Sequence, residues 1–115
     1  MTHSSGVTAD EALAVALALP GVSSQPSGDY TAVRVSRRGF GYLVPDGTGL
    51  MVKATLDEQA AWVAEDPGTY SATHTSGRYG WIMVRLAKVG REELSELITE
   101  GWRLTAPARL TRSAG

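Results

Sequence analysis

Residues 79–107, YGWIMVRLAKVGREELSELITEGWRLTAP, constrain this chain more than any other stretch, because the hydrophobic period changes there from two to about 3.6. Ile82, Val84 and Leu86 fall on one side of an alternating run, and Trp81, Met83 and Arg85 fall on the other. That alternation reads as a half-buried strand whose aliphatic side faces the core. The opposite side is unusually apolar for a solvent face, yet it carries Arg85. Val89 and Gly90 break the strand. Glu92 and Glu93 follow, where negative charge suits the start of a helix. Leu94, Leu97, Ile98, Gly101 and Trp102 then recur at spacings of three and four, which makes one apolar stripe. Pro107 stops the helix, since it lacks an amide hydrogen and clashes with the preceding turn. A strand and an amphipathic helix in one run need more sheet to bury their apolar sides.

The rest of the chain supplies it. Residues 1–7 are polar and small and read as a disordered start. Thr8 to Glu11 form a T-x-x-E capping box, in which hydroxyl and carboxylate each satisfy a free backbone donor. The helix it opens runs to Leu19 and ends at Pro20-Gly21. Residues 23–29 are rich in Ser, Gly and Pro and read as a loop with room for a short irregular strand. Residues 30–36 form a strand with Val33 and Val35 on one face and Arg34 on the other. Arg37-Arg38-Gly39 is a hairpin tip, with glycine available for a positive φ. Residues 40–44 return. A two-residue loop here puts Phe40, Tyr42 and Val44 on the face of Val33 and Val35.

After the turn at 45–49, residues 50–54 form a third strand, with Leu50, Val52 and Ala54 opposed to Met51 and Lys53. Thr55 to Glu58 repeat the capping box and open a helix to about Glu65, terminated by Asp66-Pro67-Gly68. Residues 69–73 alternate weakly and make a fourth strand. A second hairpin tip at 74–78 leads into the strand at 81–86. The tail beyond Pro107 reads as loosely held. The expectation is an α+β two-layer sandwich in the order α-β-β-β-α-β-β-α. A mainly antiparallel five-stranded sheet carries its helices on one face. One domain spans 8–110, with a flexible tail at 111–115.

Composition narrows the function classes. With 115 residues and no linker, a single core is expected. The net charge of −1 creates no global pull towards nucleic acid or an anionic membrane. Cysteine is absent, which removes disulfides, thiol nucleophiles and cysteine-based zinc sites. The start lacks the basic and apolar regions of a signal peptide, and the apolar run 12–19 is too short to span a bilayer. A cytoplasmic location with no membrane contact is the expectation. His3 and His74 lack the further ligands a metal needs. The pairs Asp10/Glu11, Asp57/Glu58 and Glu92/Glu93 each open a helix, where capping and the dipole account for them. No phosphate-loop pattern is present. No catalytic residue, metal or cofactor is therefore assigned, and a non-enzymatic role is expected.

Two regions remain. The hairpin tips carry Arg37 and Arg38, and His74 and Arg78, and could straddle a phosphate backbone. The bland alternative is solvated turn charge. The open face of the sheet is expected to show Arg34, Leu43, Met51, Lys53, Trp81, Met83 and Arg85. That mixture suits base stacking, a small anionic ligand or a partner protein. The alternatives are a homodimer interface or a face covered by the loop at 23–29.

Several segments then match a known pattern in order and spacing. These are ALALPGV at 16–22, VRV at 33–35, RGF at 38–40, VK at 52–53 before EQAA at 58–61, GWIMVRL at 80–86, EELSELI at 92–98 and WRLTAPARL at 102–110. Together they resemble the MmcQ/YjbR-like family of small bacterial proteins, over nearly the whole chain from Thr8. Many members carry a histidine–phenylalanine–glycine segment where this chain has residues 27–32. The resemblance implies the same α-β-β-β-α-β-β-α fold. It also implies a DNA-binding role through a double-wing arrangement, with the hairpin tips as wings, and the net charge of −1 makes any contact to DNA weak and non-specific. It supplies no catalytic residues. The competing reading is a small adaptor that binds a protein or ligand through the open face.

Overall fold

The computed structural model describes residues 6–73 and 80–113. Among them the elements run α1 (Ala9–Leu17), β1 (Val22–Ser27), β2 (Tyr30–Val35), β3 (Arg38–Leu43), β4 (Gly49–Val52), α2 (Leu56–Glu65), β5 (Tyr70–Ala72), β6 (Ile82–Arg85), α3 (Arg91–Thr105) and α4 (Ala108–Ser113). The strands form one antiparallel sheet in the order β1-β2-β3-β4-β6-β5. β4 and β5 point the same way with β6 between them, so α2 makes the crossover.

Both capping boxes are present. Thr8 N donates to Glu11 Oε1 at 2.9 Å and Glu11 N donates to Thr8 Oγ1 at 3.1 Å, while Thr55 and Glu58 repeat the exchange at 3.0 and 3.1 Å. The bonds from the Thr8 backbone and hydroxyl hold the Glu11 carboxyl below its ordinary value of 4.5. α3 opens at Gly90 without a side-chain cap, so its stability rests on packing instead.

The core lies between the sheet and the helices. Val33, Val35, Leu50, Val52, Ile82 and Val84 meet Ala12 and Ala16 of α1 and Leu94, Leu97, Ile98 and Trp102 of α3. Gly101 lets α3 approach closely, since a Cβ there would sit 2.9 Å from the Lys53 carbonyl oxygen and 3.1 Å from Val52 Cγ1. The Trp102 indole is buried and donates to the Pro20 carbonyl at 2.9 Å, which ties α3 to the end of α1.

Four features differ from the sequence reading. The sheet has six strands, because residues 22–27, expected as a loop with room for a short irregular strand, form the six-residue edge strand β1. β1 is an edge strand exposed along most of its length, so no burial alternation marks it, and an edge tolerates Pro26. The turn into β2 is Gly28-Asp29, with Gly28 at φ 60°. The second hairpin turn is Ser36-Arg37, since Val35 pairs with Arg38, and Arg38 and Gly39 already belong to β3. No glycine relieves this turn: Ser36 and Arg37 themselves take φ of 50° and 72°. Gly6 and Val7 are tied down by bonds from their amides to the Val89 and Leu86 carbonyls, at 2.9 and 2.7 Å, and Val7 is buried. Beyond Pro107, Ala108–Ser113 form α4, and Leu110 packs against the core and over Gly21.

Candidate functional site

The face of the sheet opposite the helices is built by alternate residues of every strand. Tyr42, Met51 and Met83 lie in one row across β3, β4 and β6, half-buried, and Ala32 and Ser71 continue it on either side. Trp81 lies next to Met83 on the same side, and its ring meets Tyr42 at a centroid distance of 5.7 Å and an angle of 37°. An aromatic pair over two methionines is a flat, polarisable platform.

Tyr42 was not expected here, and Leu43 was. The register between β2 and β3 shifts between Val33 and Arg34, so that Phe40 is an extra residue on β3. A bulge of this kind reverses the alternation beyond it. Phe40 and Leu43 therefore point into the core, and Tyr42 reaches the open face. Gly39 makes room for it, because a Cβ there would collide with the Tyr42 hydroxyl and lie 3.0 Å from Cζ. The glycines on both sides of Phe40 were the available signal, since glycine inside a strand marks a bulge.

Arg34, Lys53 and Trp81 gather towards the end of the sheet where the Ser36-Arg37 turn lies. β5 ends and β6 begins at that same end, about three strand spacings away, or ~14 Å. Arg37 and Arg38 are exposed there. His74 and Arg78, read as the second tip, lie outside the described residues. Arg85 is not part of this group: it pairs with Gly49 at the other end, three residues beyond the Val52–Ile82 pair and so ~10 Å away. The loop reading of 23–29 as a cover also fails, since those residues extend the sheet as β1.

Two features of this end have an energetic cost. Arg34 Nε is buried and has no hydrogen-bond partner among the described residues, a state that costs about 1–3 kcal/mol. Ser36 and Arg37 occupy left-handed backbone, which costs a residue with a side chain about 1–3 kcal/mol. Charge is segregated as well. None of the 12 acidic residues lies on a strand, whereas Arg34 and Arg85 do, on the open face, and Lys53 directly follows β4. The net charge of −1 thus averages an acidic helix layer and a basic, carboxylate-free sheet face. Among the described residues, no group of three or more His, Asp or Glu could hold a metal ion, and no helix is long and apolar enough to cross a membrane.

A family model described as YjbR matches residues 17–104. The uncharacterised proteins Rv2570 of Mycobacterium tuberculosis (strain ATCC 25618 / H37Rv) and Mb2600 of Mycobacterium bovis are each 34% identical over 91 residues, covering 79% of this chain and 57% of theirs. The chain thus spans little more than half the length of these curated relatives. A crystal structure of Deinococcus radiodurans protein DR2400, with family-model domain DUF419, superposes with a TM-score of 0.79 at 17% identity. That match covers 98% of this chain and 91% of the other, and it speaks to the fold alone.

Proposed function

The chain belongs to the YjbR family, and we propose that it binds nucleic acid, preferring single-stranded DNA, on the open face of its sheet. The observation that carries this reading is the carboxylate-free face on a chain with more acids than bases. Arg34, Arg37 and Lys53 take phosphates, with Arg38 at the rim of the same sheet end, beside Leu104 to Pro107, and Arg85 as an outlying contact. Tyr42 and Trp81 stack on unpaired bases, a contact worth ~1–3 kcal/mol per base. Phosphate contacts position the strand and stacking tolerates any sequence, so the binding is weak and non-specific. A second reading, an adaptor that docks a partner protein or a second copy, draws on Met51 and Met83 at the centre of the same face.

The test is fluorescence anisotropy of labelled single-stranded and duplex DNA at low and near-physiological salt. The four cations at the turn end, Arg34, Arg37, Arg38 and Lys53, give a slope of log affinity against log salt of about −3 on single strands. Binding should favour the single strand and weaken at least tenfold in Arg37→Ala/Arg38→Ala. Trp81→Ala should reduce single-strand affinity with little change in slope. Absence of binding at low salt, or indifference to both variants, overturns the reading. A change of oligomeric state in Trp81→Ala during sedimentation would then select the second reading.

A further inference from the structure

A concavity lies in the helix layer, where the end of α2, the start of β5 and the turn before α3 meet. It is an open groove of about 430 Å³. Trp62 and Tyr70 form its aromatic part, with rings edge to face at 5.0 Å and 65°. Glu65, Asp66 and Glu93 bring carboxylates, and Lys88 lies among them. Asp66 is already engaged, accepting from Gly68 N at 3.2 Å and from Thr69 Oγ1 at 2.7 Å. Glu65 and Glu93 form no ion pair or hydrogen bond among the described residues. Gly90 allows Glu93 to fold back over the groove, since any Cβ at 90 would collide with its carboxylate.

Tyr70 separates this groove from an ordinary acidic patch. The residue is only 4% exposed, yet its hydroxyl makes no hydrogen bond among the described residues and borders the groove. Burial first, then Glu93, Asp66, Glu65 and Glu96, push its phenol up to about 12, so the surroundings are negative and the phenol stays neutral. The half-buried Trp62 ring, a phenol oxygen without a hydrogen bond among the described residues and two carboxylates have a common complement.

We propose that this groove binds an organic cation, an alkylammonium or guanidinium group, against the Trp62 ring and the Tyr70 hydroxyl and opposite the carboxylates of Glu65 and Glu93. Cations of this class are drawn to aromatic faces, and to Trp above all. A hard metal ion would need several converging oxygens, which the described residues do not offer. The groove's size admits a head group and a short apolar stem. Lys88 disfavours a second positive charge at the rim. The site is independent of the nucleic-acid reading, because it shares no residue with the open face. The head group can come from a free amine or from a Lys or Arg side chain of a protein.

NMR titration of the ¹⁵N-labelled chain separates these cases. The probes are butylammonium, ethylguanidinium, a blocked Gly-Arg-Gly peptide and neutral butanol. The Trp62 indole and the amides of 65, 66, 68–70 and 88–93 should shift with the cations and not with butanol. Glu93→Gln should weaken binding at least fivefold, Tyr70→Phe less, and Lys88→Ala should tighten it. Tighter binding of the peptide assigns the head group to a protein side chain, and tighter binding of the small cations to a free amine. Equal shifts with butanol overturn the proposal. So do shifts spread over all acidic helix ends, shifts that survive Glu65→Gln/Glu93→Gln in a folded variant, or no shifts at all.

Discussion

The same strands build both faces of the sheet, residue by alternate residue, and the two faces follow different rules. On the covered face Val35, Val52, Ile82 and Val84 are at most 1% exposed, and every one is aliphatic. On the open face Tyr42, Met51, Met83 and Trp81 are half-buried, and Arg34 Nε is buried without a hydrogen-bond partner among the described residues. Burial accounts for the first set: each side chain there contributes ~1.5–3 kcal/mol by leaving water. It does not account for the second, where large apolar rings are left partly wet and a guanidinium is partly dried. Residues that stability does not explain are where a binding role is best sought.

The comparison breaks if the covered face proves dispensable, so its centre gives the largest expected effect. Trp102→Ala should cost ~3–5 kcal/mol in denaturant unfolding, since it empties a fully buried site and leaves the Pro20 carbonyl without its donor. A loss under 1 kcal/mol would mean that α3 does not hold the sheet. This half of the molecule was legible in the sequence. Leu94, Leu97, Ile98, Gly101 and Trp102 declared their stripe by spacing, both threonine caps declared their helices, and all five stripe residues are buried. β1 was not legible, because an edge strand of VSSQPS buries too little to impose a pattern.

Arg34→Met gives a smaller effect of the opposite sign. Methionine keeps the apolar stem and removes the orphaned Nε. Thermal or denaturant unfolding should show the variant about 1 kcal/mol more stable, while single-stranded DNA affinity falls. Loss of stability would mean that the guanidinium is structurally satisfied and that the open face obeys the rule of the covered one. The site was less legible than the core for a related reason. Arg34, Lys53, Trp81 and Met83 could be assigned by alternation, but alternation fails across a bulge. Tyr42 and Leu43 exchange faces because one extra residue, Phe40, enters β3. The strained Ser36-Arg37 turn was hidden likewise, since Gly39 looked like the residue that would supply the positive φ.

Tyr70 tests the border between the two rules and gives the smallest effect at neutral pH. By register it belongs to the covered face, opposite Val84, but its hydroxyl borders the acidic groove. The phenol's ordinary value is 10, and burial with the surrounding carboxylates raises it to about 12 in the folded chain. The folded state therefore holds this proton more tightly than the unfolded chain does. The stability that follows is complete below pH 10 and is lost as the pH rises towards about 12, because the unfolded phenol ionises first. Tyr70→Phe keeps the ring against Trp62 and removes the titration. Unfolding of wild type and variant should differ little at pH 7, with the wild-type curve falling more steeply between pH 10 and 12. Parallel curves through that window would mean that the hydroxyl is solvated, that Tyr70 contributes only its ring, and that the groove is no more negative than the surrounding surface.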